Sequence, residues 1–466
     1  MKNRKLKISF NGVKTINSSL IDSIIFKNAY STEKMRKCFN DSSRIQSWLD
    51  VEAALARVQA KLGIIPVEAA QEINCKAHWK NLDFKEMQGI YEQSGHPIMP
   101  IIYTLKKACE QSWGEYVHWG ATTQDIMDTG CILQIRNALP VIEGDLKKLR
   151  KICMKMAREY KDTLQSGRTH GQHAVPITFG YKVAIWAEEI NRHLKRLEQC
   201  KPRLFILEFA GAAGTLATIN QEKAFALQKA LAKELLLKVP SLPWHVSRDH
   251  LVELCSILAY ASGTCSKIAN EIIALQRTEI SELEQAQAGR IGSSTMPHKR
   301  NPMQFEHVVV LDRFVRNNAN AMLENLLGEH ERDWRTWGSE MKIIEESFLI
   351  TSALLEIMVT ELNRLIINKA NMHHNLSILN GLMMSERVMM KLAEKLGRQT
   401  AHDLLHANAM RAFEEKKSFA QILKKDDRVK EVLSEQEIDD LMDPSTYVGL
   451  APKYVEELIK RENMEE

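Results

Sequence analysis

The sequence predicts an all-α protein of three helical domains, the central one a bundle of long helices. Three observations lead there. Strand periodicity is nearly absent, while apolar residues recur in steps of three and four along most of the chain. One such run (Leu251, Leu254, Leu258, Ala261, Cys265, Ile268, Ile272, Leu275) lies in a stretch free of proline between Pro243 and Pro297. A seam that long needs neighbouring helices beside it, as in a bundle or coiled coil. The chain also has 466 residues, 44% of them hydrophobic and 26% charged, the composition of an ordinary globular protein with room for several domains.

Residues 1–110 read as a domain of shorter amphipathic helices. Its clearest member, "SSRIQSWLDVEAALARVQAKLGIIP", starts at a serine cap and stops at Gly63, with Pro66 just beyond. Residues 111–367 form the central bundle. Ile142, Leu146, Leu149, Cys153 and Met156 repeat the seam, as do Leu355, Met358, Leu362 and Leu365, and Ala261 and Gly263 let neighbours approach closely. Residues 368–466 return to short helices, and "DDRVKEVLSEQEIDDLMDP" is polar and highly charged. Long helices leave apolar surface that one chain does not cover, so the sequence predicts an oligomer.

Several function classes are excluded. A net charge of +4 is too small at this length to point to nucleic acid. No run approaches the roughly 18 apolar residues of a membrane helix. The opening "MKNRKLKISFNGVKTINSS" is too polar for a signal peptide. The eight cysteines are scattered with no C-x-x-C pair, which argues against zinc and disulfides and for reduced thiols in the cytoplasm.

Three polar stretches interrupt the helical pattern. The first, "HWGATTQDIMDTG", groups Thr122, Thr123, Gln124 and Asp125. Two hydroxyls and an amide at a helix start suit a carboxylate or phosphate, and equally suit a plain helix cap. In the second, "SGRTHGQHAVPITFG", His170 stands between Thr169 and Gly171. It reads as an acid/base histidine or as one merely hydrogen-bonded at a helix end; with no acidic or thiol ligand at suitable spacing from His170 and His173, no metal is expected. The third, "GSSTMPHKRNP" (Gly292 to Pro302), cannot be regular helix, because Pro297 and Pro302 forbid it. It is either a surface loop or a mobile active-site loop with a hydroxyl at one end and Lys-Arg-Asn at the other.

Taken together the three stretches resemble the fumarase/aspartase superfamily. "GSSTMPHKRNP" followed by Glu306 is similar to that superfamily's main motif almost letter for letter. "STEKMRKCF" through "LGIIP", and "GRQTAHDLLHANAM" through "LMDPSTYVGLAPKYVEEL", resemble the branch of adenylosuccinate lyase and bacterial 3-carboxy-cis,cis-muconate cycloisomerase. The resemblance implies a homotetramer whose active sites each take one stretch from each of three subunits, with no cofactor. It implies Ser293 as the base, His170 as the acid that protonates the leaving group, and Glu306 as a carboxylate orienting a catalytic histidine. Lys299 and Asn301 would hold the carbanion's aci-carboxylate, and Thr122, Thr123 and Gln124 the second carboxylate. Thr169, Ser294, Met296 and His96 complete the implied binding set.

The chain departs from each familiar member. Ala29 and Met341 stand where adenylosuccinate lyases carry arginines for the nucleotide phosphate, and His96-Pro97 replaces their His-Asp pair. Gln124 and "PWHVSRDHLVEL" resemble the cycloisomerases, yet the acid His170 is kept. The expectation is a fumarate-releasing lyase that breaks a C–N bond of an N-succinyl di- or tricarboxylate. The alternatives are the cycloisomerase and, more remotely, a crystallin-like structural protein.

Overall fold

A computed structural model describes residues 18–289, 293 and 295–465. Helix α1 (Glu33–Phe39) begins where the Thr32 hydroxyl accepts from Met35 N. Helix α2 (Asp41–Lys61) begins at Asn40, whose side-chain carbonyl accepts from Ser43 N over 2.9 Å. The expected serine cap therefore lies inside the helix, because asparagine reaches the same amide first. Gly63, at φ +62°, leaves the helix in the left-handed conformation the sequence anticipates.

Five long helices follow: α3 (Thr123–Glu159), α4 (Phe179–Leu204), α5 (Asp249–Leu275), α6 (Met303–Glu324) and α7 (Trp334–Leu362). The Leu251–Leu275 seam is α5, and every one of its eight residues is at most 2% exposed. Burial of each Leu or Ile there stabilises the fold by about 1.5–3 kcal/mol. Prolines did not act as breaks everywhere: α3 runs through Pro140 and α4 through Pro202. Each loses one backbone hydrogen bond, a loss that the packing of so long a helix outweighs.

Among the described residues, strand is confined to two antiparallel pairs and one bridge. Strand β1 (Leu164–Thr169) pairs with β2 (Gln172–Thr178), and the two-residue β3 (Leu283–Glu284) pairs with β4 (Ile366–Ile367). The chain is all-α in architecture, as expected. No described helix is long and apolar enough to cross a membrane.

The chain divides into two compact units. The first takes the chain up to Glu143, Leu197–Ser262 and Leu311–Glu356. At its centre Arg248, 1% exposed, donates to both oxygens of Asp128 (2.6 and 3.0 Å) and to Glu340 (2.9 Å), and stacks on Trp244 at 5.0 Å. One guanidinium thus ties α3, α7 and the start of α5.

The second unit takes Gly144–Arg196, Gly263–Val310 and the chain from Ile357. It holds α8 (Lys369–Ser377), α9 (Ser385–Leu396), α10 (Arg398–Glu414) and α11 (Glu435–Leu441). Val388, Leu392, Leu404, Phe419 and Ile438 form the apolar cluster beneath this charged surface. Ser434 and Glu437 close a reciprocal capping box at α11.

Candidate active site

His170 sits at the tip of the β1–β2 hairpin, not at a helix end. Thr169 pairs with Gln172, so His170 and Gly171 are the two loop residues, at φ +52° and +78°. Positive φ at both positions is the type I′ geometry that matches strand twist. Glycine accepts it freely; histidine is among the few residues that visit it, at a cost of about 1–2 kcal/mol. Gly167 makes the bulge below the tip, where a Cβ would stand 2.6 Å from Val175 O. His170 and Thr169 are exposed, at positions set by the backbone geometry of the turn. His173 is half-buried opposite Arg168, and burial followed by that guanidinium lowers its pKa.

In the third stretch, Gly292 and Ser294 lie outside the described residues. Ser293 Oγ accepts from Met296 N (3.1 Å) and Thr295 N (3.4 Å), so two backbone donors face one hydroxyl. Lys299 and Met296 are exposed, Asn301 is half-buried, and Glu306 is exposed in the first turn of α6. The ends of the loop are pinned together. Gln276 donates to Arg300 O (2.8 Å) and accepts from Gln285 N, Gln285 accepts from Gln304 N, and Arg300 pairs with Glu284 at 2.5 Å.

In the first unit, Thr122 precedes α3 and Asp125 stands in its first turn. Asp125 is saturated: it accepts from Thr122 N, Ala210 N, Gly211 N and His245 Nε2, all within 3.0 Å. Thr123 is buried, and Gln124 is fully so, its amide donating to Asp128 and to His245 O. The sequence groups Gln124 with the two threonines; the structure turns it inward and leaves the half-buried Thr122 as the more accessible hydroxyl. His96 is exposed in the turn after Gly95 and touches none of these groups through a hydrogen bond among the described residues.

Two further groups stand beside Thr122, and sequence reading passed over both. Arg332, from "ERDWRT", donates to Thr122 Oγ1 over 2.5 Å. His118, which opens the first polar stretch, holds the buried Glu52 carboxylate through Nδ1 (2.6 Å) and its own backbone N–H (3.1 Å). Burial alone would lower the His118 pKa, but the Glu52 carboxylate outweighs it and leaves the imidazole raised. The presence of a histidine and an arginine in polar stretches was the available signal; their partners lie 66 and 210 residues away.

Asp125, Glu208 and His245 are close enough to hold a metal ion. Their donor set does not fit one, since Asp125 is already filled by N–H groups and His245 Nε2 must carry a proton to donate to it. Glu208, buried and near Asp125 and Asp128, has its pKa pushed up to about 9 and is a neutral acid.

Comparison with known proteins gives the family. The lyase family matches residues 28–315, and the adenylosuccinate lyase C-terminus matches residues 381–458. Adenylosuccinate lyase of Methanocaldococcus jannaschii is 41% identical over 435 residues, covering 92% of this chain and 94% of that one. N-acetyl-S-(2-succino)cysteine lyase of Enterococcus italicus is 39% identical, covering 95% and 97%. The crystal structure of 3-carboxy-cis,cis-muconate lactonizing enzyme from Pseudomonas putida superposes with a TM-score of 0.87 at 34% identity, covering 94% of this chain and 98% of that one. The chain therefore belongs to the lyase family of the fumarase/aspartase superfamily, in the branch of adenylosuccinate lyase and 3-carboxy-cis,cis-muconate cycloisomerase.

Proposed function

We propose that the enzyme releases fumarate from a small N-succinyl compound by β-elimination. The observation that carries this reading is Ser293 Oγ facing the N–H groups of Thr295 and Met296. A serine hydroxyl is a poor base in water, and donors aimed at its oxygen favour the alkoxide. Ser293 takes the proton from the carbon beside one carboxylate. The electron pair moves onto that carboxylate, where Lys299 and Asn301 stabilise the doubly charged aci form. Collapse forms the C=C bond and expels nitrogen from the adjacent carbon, and His170 gives that nitrogen a proton. Glu306 orients a catalytic histidine. No step calls on a metal or cofactor.

Thr122, backed by Thr123 and Gln124, holds the substrate's second carboxylate together with Arg332. Because the Thr122 oxygen accepts from Arg332, its own proton is left to donate. Thr169, Ser294, Met296 and His96 contribute to binding. A nucleotide is disfavoured. Met341 lines a cavity of about 40 Å³ with Phe39, Trp48, Met127 and Trp337, which is apolar on that side and has room for only a few waters. The cation there, Arg44, already pairs with Glu345 and Asp41.

A sulfur leaving atom is the second reading, favoured by the 39% identity to an S-(2-succino)cysteine lyase over 443 residues. We further infer a cytoplasmic homotetramer with shared sites. Exposed apolar residues on the long helices (Tyr260, Val310, Phe314, Leu323) support the oligomer, and eight cysteines in no disulfide support the compartment. The test is incubation with adenylosuccinate, argininosuccinate, N-acetyl-S-(2-succino)cysteine and carboxymuconate, followed by fumarate absorbance. Fumarate from a small succinyl substrate is expected; efficient cleavage of adenylosuccinate, or lactonisation of carboxymuconate, overturns the reading.

A further inference from the structure

Glu282 is fully buried and carries no part in the chemistry above. Its four hydrogen bonds reach two separate elements. Toward the hairpin, its carboxylate accepts from Gln165 Nε2 (2.7 Å) and from Arg168 Nη1 and Nη2 (3.2 and 2.5 Å), two residues short of His170. Toward α8 it accepts from Asn375 Nδ2 (2.7 Å). Its backbone belongs to the root of the Ser293 loop: Glu282 N donates to Leu275 O, and Asn368 N donates to Glu282 O. The next residues, Leu283 and Glu284, pair with β4, and Glu284 and Gln285 hold the loop's far end through Arg300 and Gln304.

A buried carboxylate must be fully paired to be tolerated, and this one is paired by groups of definite geometry. The bidentate Arg168 fork fixes both the distance and the angle between hairpin and loop root. Residues 169–172 at the tip of the hairpin are exposed, so the direction of His170 follows from this buried base. The same carboxylate sits eleven residues from Ser293, immediately before a strand of only two residues, which is too short to be rigid without this side-chain anchor.

We propose that Glu282 is a positioning residue serving two catalytic elements at once, orienting the His170 hairpin and fixing the root of the Ser293 loop through one buried carboxylate. The inference rests on the roles given to His170 and Ser293 under Proposed function. If the sites are shared between subunits as proposed there, the acid and base that Glu282 holds serve different active centres, and the carboxylate links them.

The test uses the full-length oligomer with Glu282→Gln and, as a milder change that keeps the charge, Arg168→Lys. Amide hydrogen exchange is followed at residues 169–173 and 295–301. Both variants are expected to raise exchange in both segments by about tenfold or more, with α10 unchanged. With the fumarate assay, kcat falls about 100-fold while KM stays within about threefold, as misplacement of a catalytic group predicts. The alkaline limb of the kcat–pH profile moves, whereas a merely structural lesion would scale the profile without moving it. Exchange that rises in one segment only, or an Arg168→Lys effect confined to the hairpin, overturns the proposal. Should Glu282→Gln not fold, Asn375→Ala removes one donor from the same carboxylate and must loosen both segments. Absence of fumarate release by the unmodified enzyme would sink the functional reading alone, since the exchange measurement needs no turnover.

Discussion

Arg332 Nη1 lies 2.5 Å from Thr122 Oγ1, although 210 residues separate them in the chain. Charge-assisted hydrogen bonds contribute about 1.5–3 kcal/mol each, so Arg332→Gln should raise KM about 10–100-fold with a smaller change in kcat. Steady-state kinetics checks it. An unchanged KM would place the second carboxylate elsewhere.

Ser293→Ala should abolish turnover, with kcat falling by about 10²–10⁴ or more, the range for a lost acid–base group. Ser293 is half-exposed on a loop and anchors no core. The melting temperature and oligomeric state should therefore match the unmodified enzyme, read by scanning calorimetry and light scattering.

The proposed sharing of sites between subunits makes a distinct prediction. Chains carrying His170→Ala and chains carrying Ser293→Ala are each inactive, yet co-refolded mixtures should recover a fraction of the activity, because some sites then draw both intact groups from different chains. Native mass spectrometry would confirm mixed tetramers. No recovery in confirmed mixtures would mean that His170 and Ser293 of one chain serve the same site.

Glu208 sets a pH dependence whose sign can be worked out. Its folded pKa is pushed up to about 9, above the ordinary carboxyl value of 4.5. Between those values the folded state binds a proton that the unfolded state has released, so this contribution is full below about 4.5 and is lost as pH rises through about 9. Glu208→Gln has no proton to lose. Its melting temperature relative to the unmodified enzyme should climb steadily from about pH 5 to pH 9.

The buried Arg248 triad predicts a non-additive cycle. Arg248→Leu alone strands Asp128 and Glu340 without their cation and should cost about 3–5 kcal/mol, whereas replacing all three by apolar residues should restore much of that loss. Denaturant unfolding of the single and triple variants checks it.

What could be seen in the sequence was what local pattern encodes. The α5 seam was visible because one buried face repeats every three or four residues, and the loop from Gly292 to Pro302 because two prolines forbid helix. The β1–β2 hairpin went unread as strand: its alternation is masked by the bulge at Gly167, and its turn carries histidine where Asn-Gly or Asp-Gly would have signalled it. Gln124 looked like a ligand because its neighbours are hydroxyls, and only the backbone of His245, 121 residues away, turns it inward. Arg248, Arg332 and Glu282 were silent for the same reason. A single charged residue has no periodicity, and what makes it matter is a partner that only the folded chain brings near.

The His170 turn also bears on how such an enzyme changes over generations. Position 170 carries the side chain proposed as the acid and is exposed, while Gly167, Gly171 and the Arg168–Glu282 pair carry the shape that presents it. Most substitutions in a protein core are purged because they lower stability before they can offer anything new. A substitution here escapes that filter, and residues better suited to positive φ would even relieve strain. If His170 is the proton donor proposed above, natural selection can exchange it for another group in a single step, trying a different leaving group or none, while the scaffold that aims it stays unaltered.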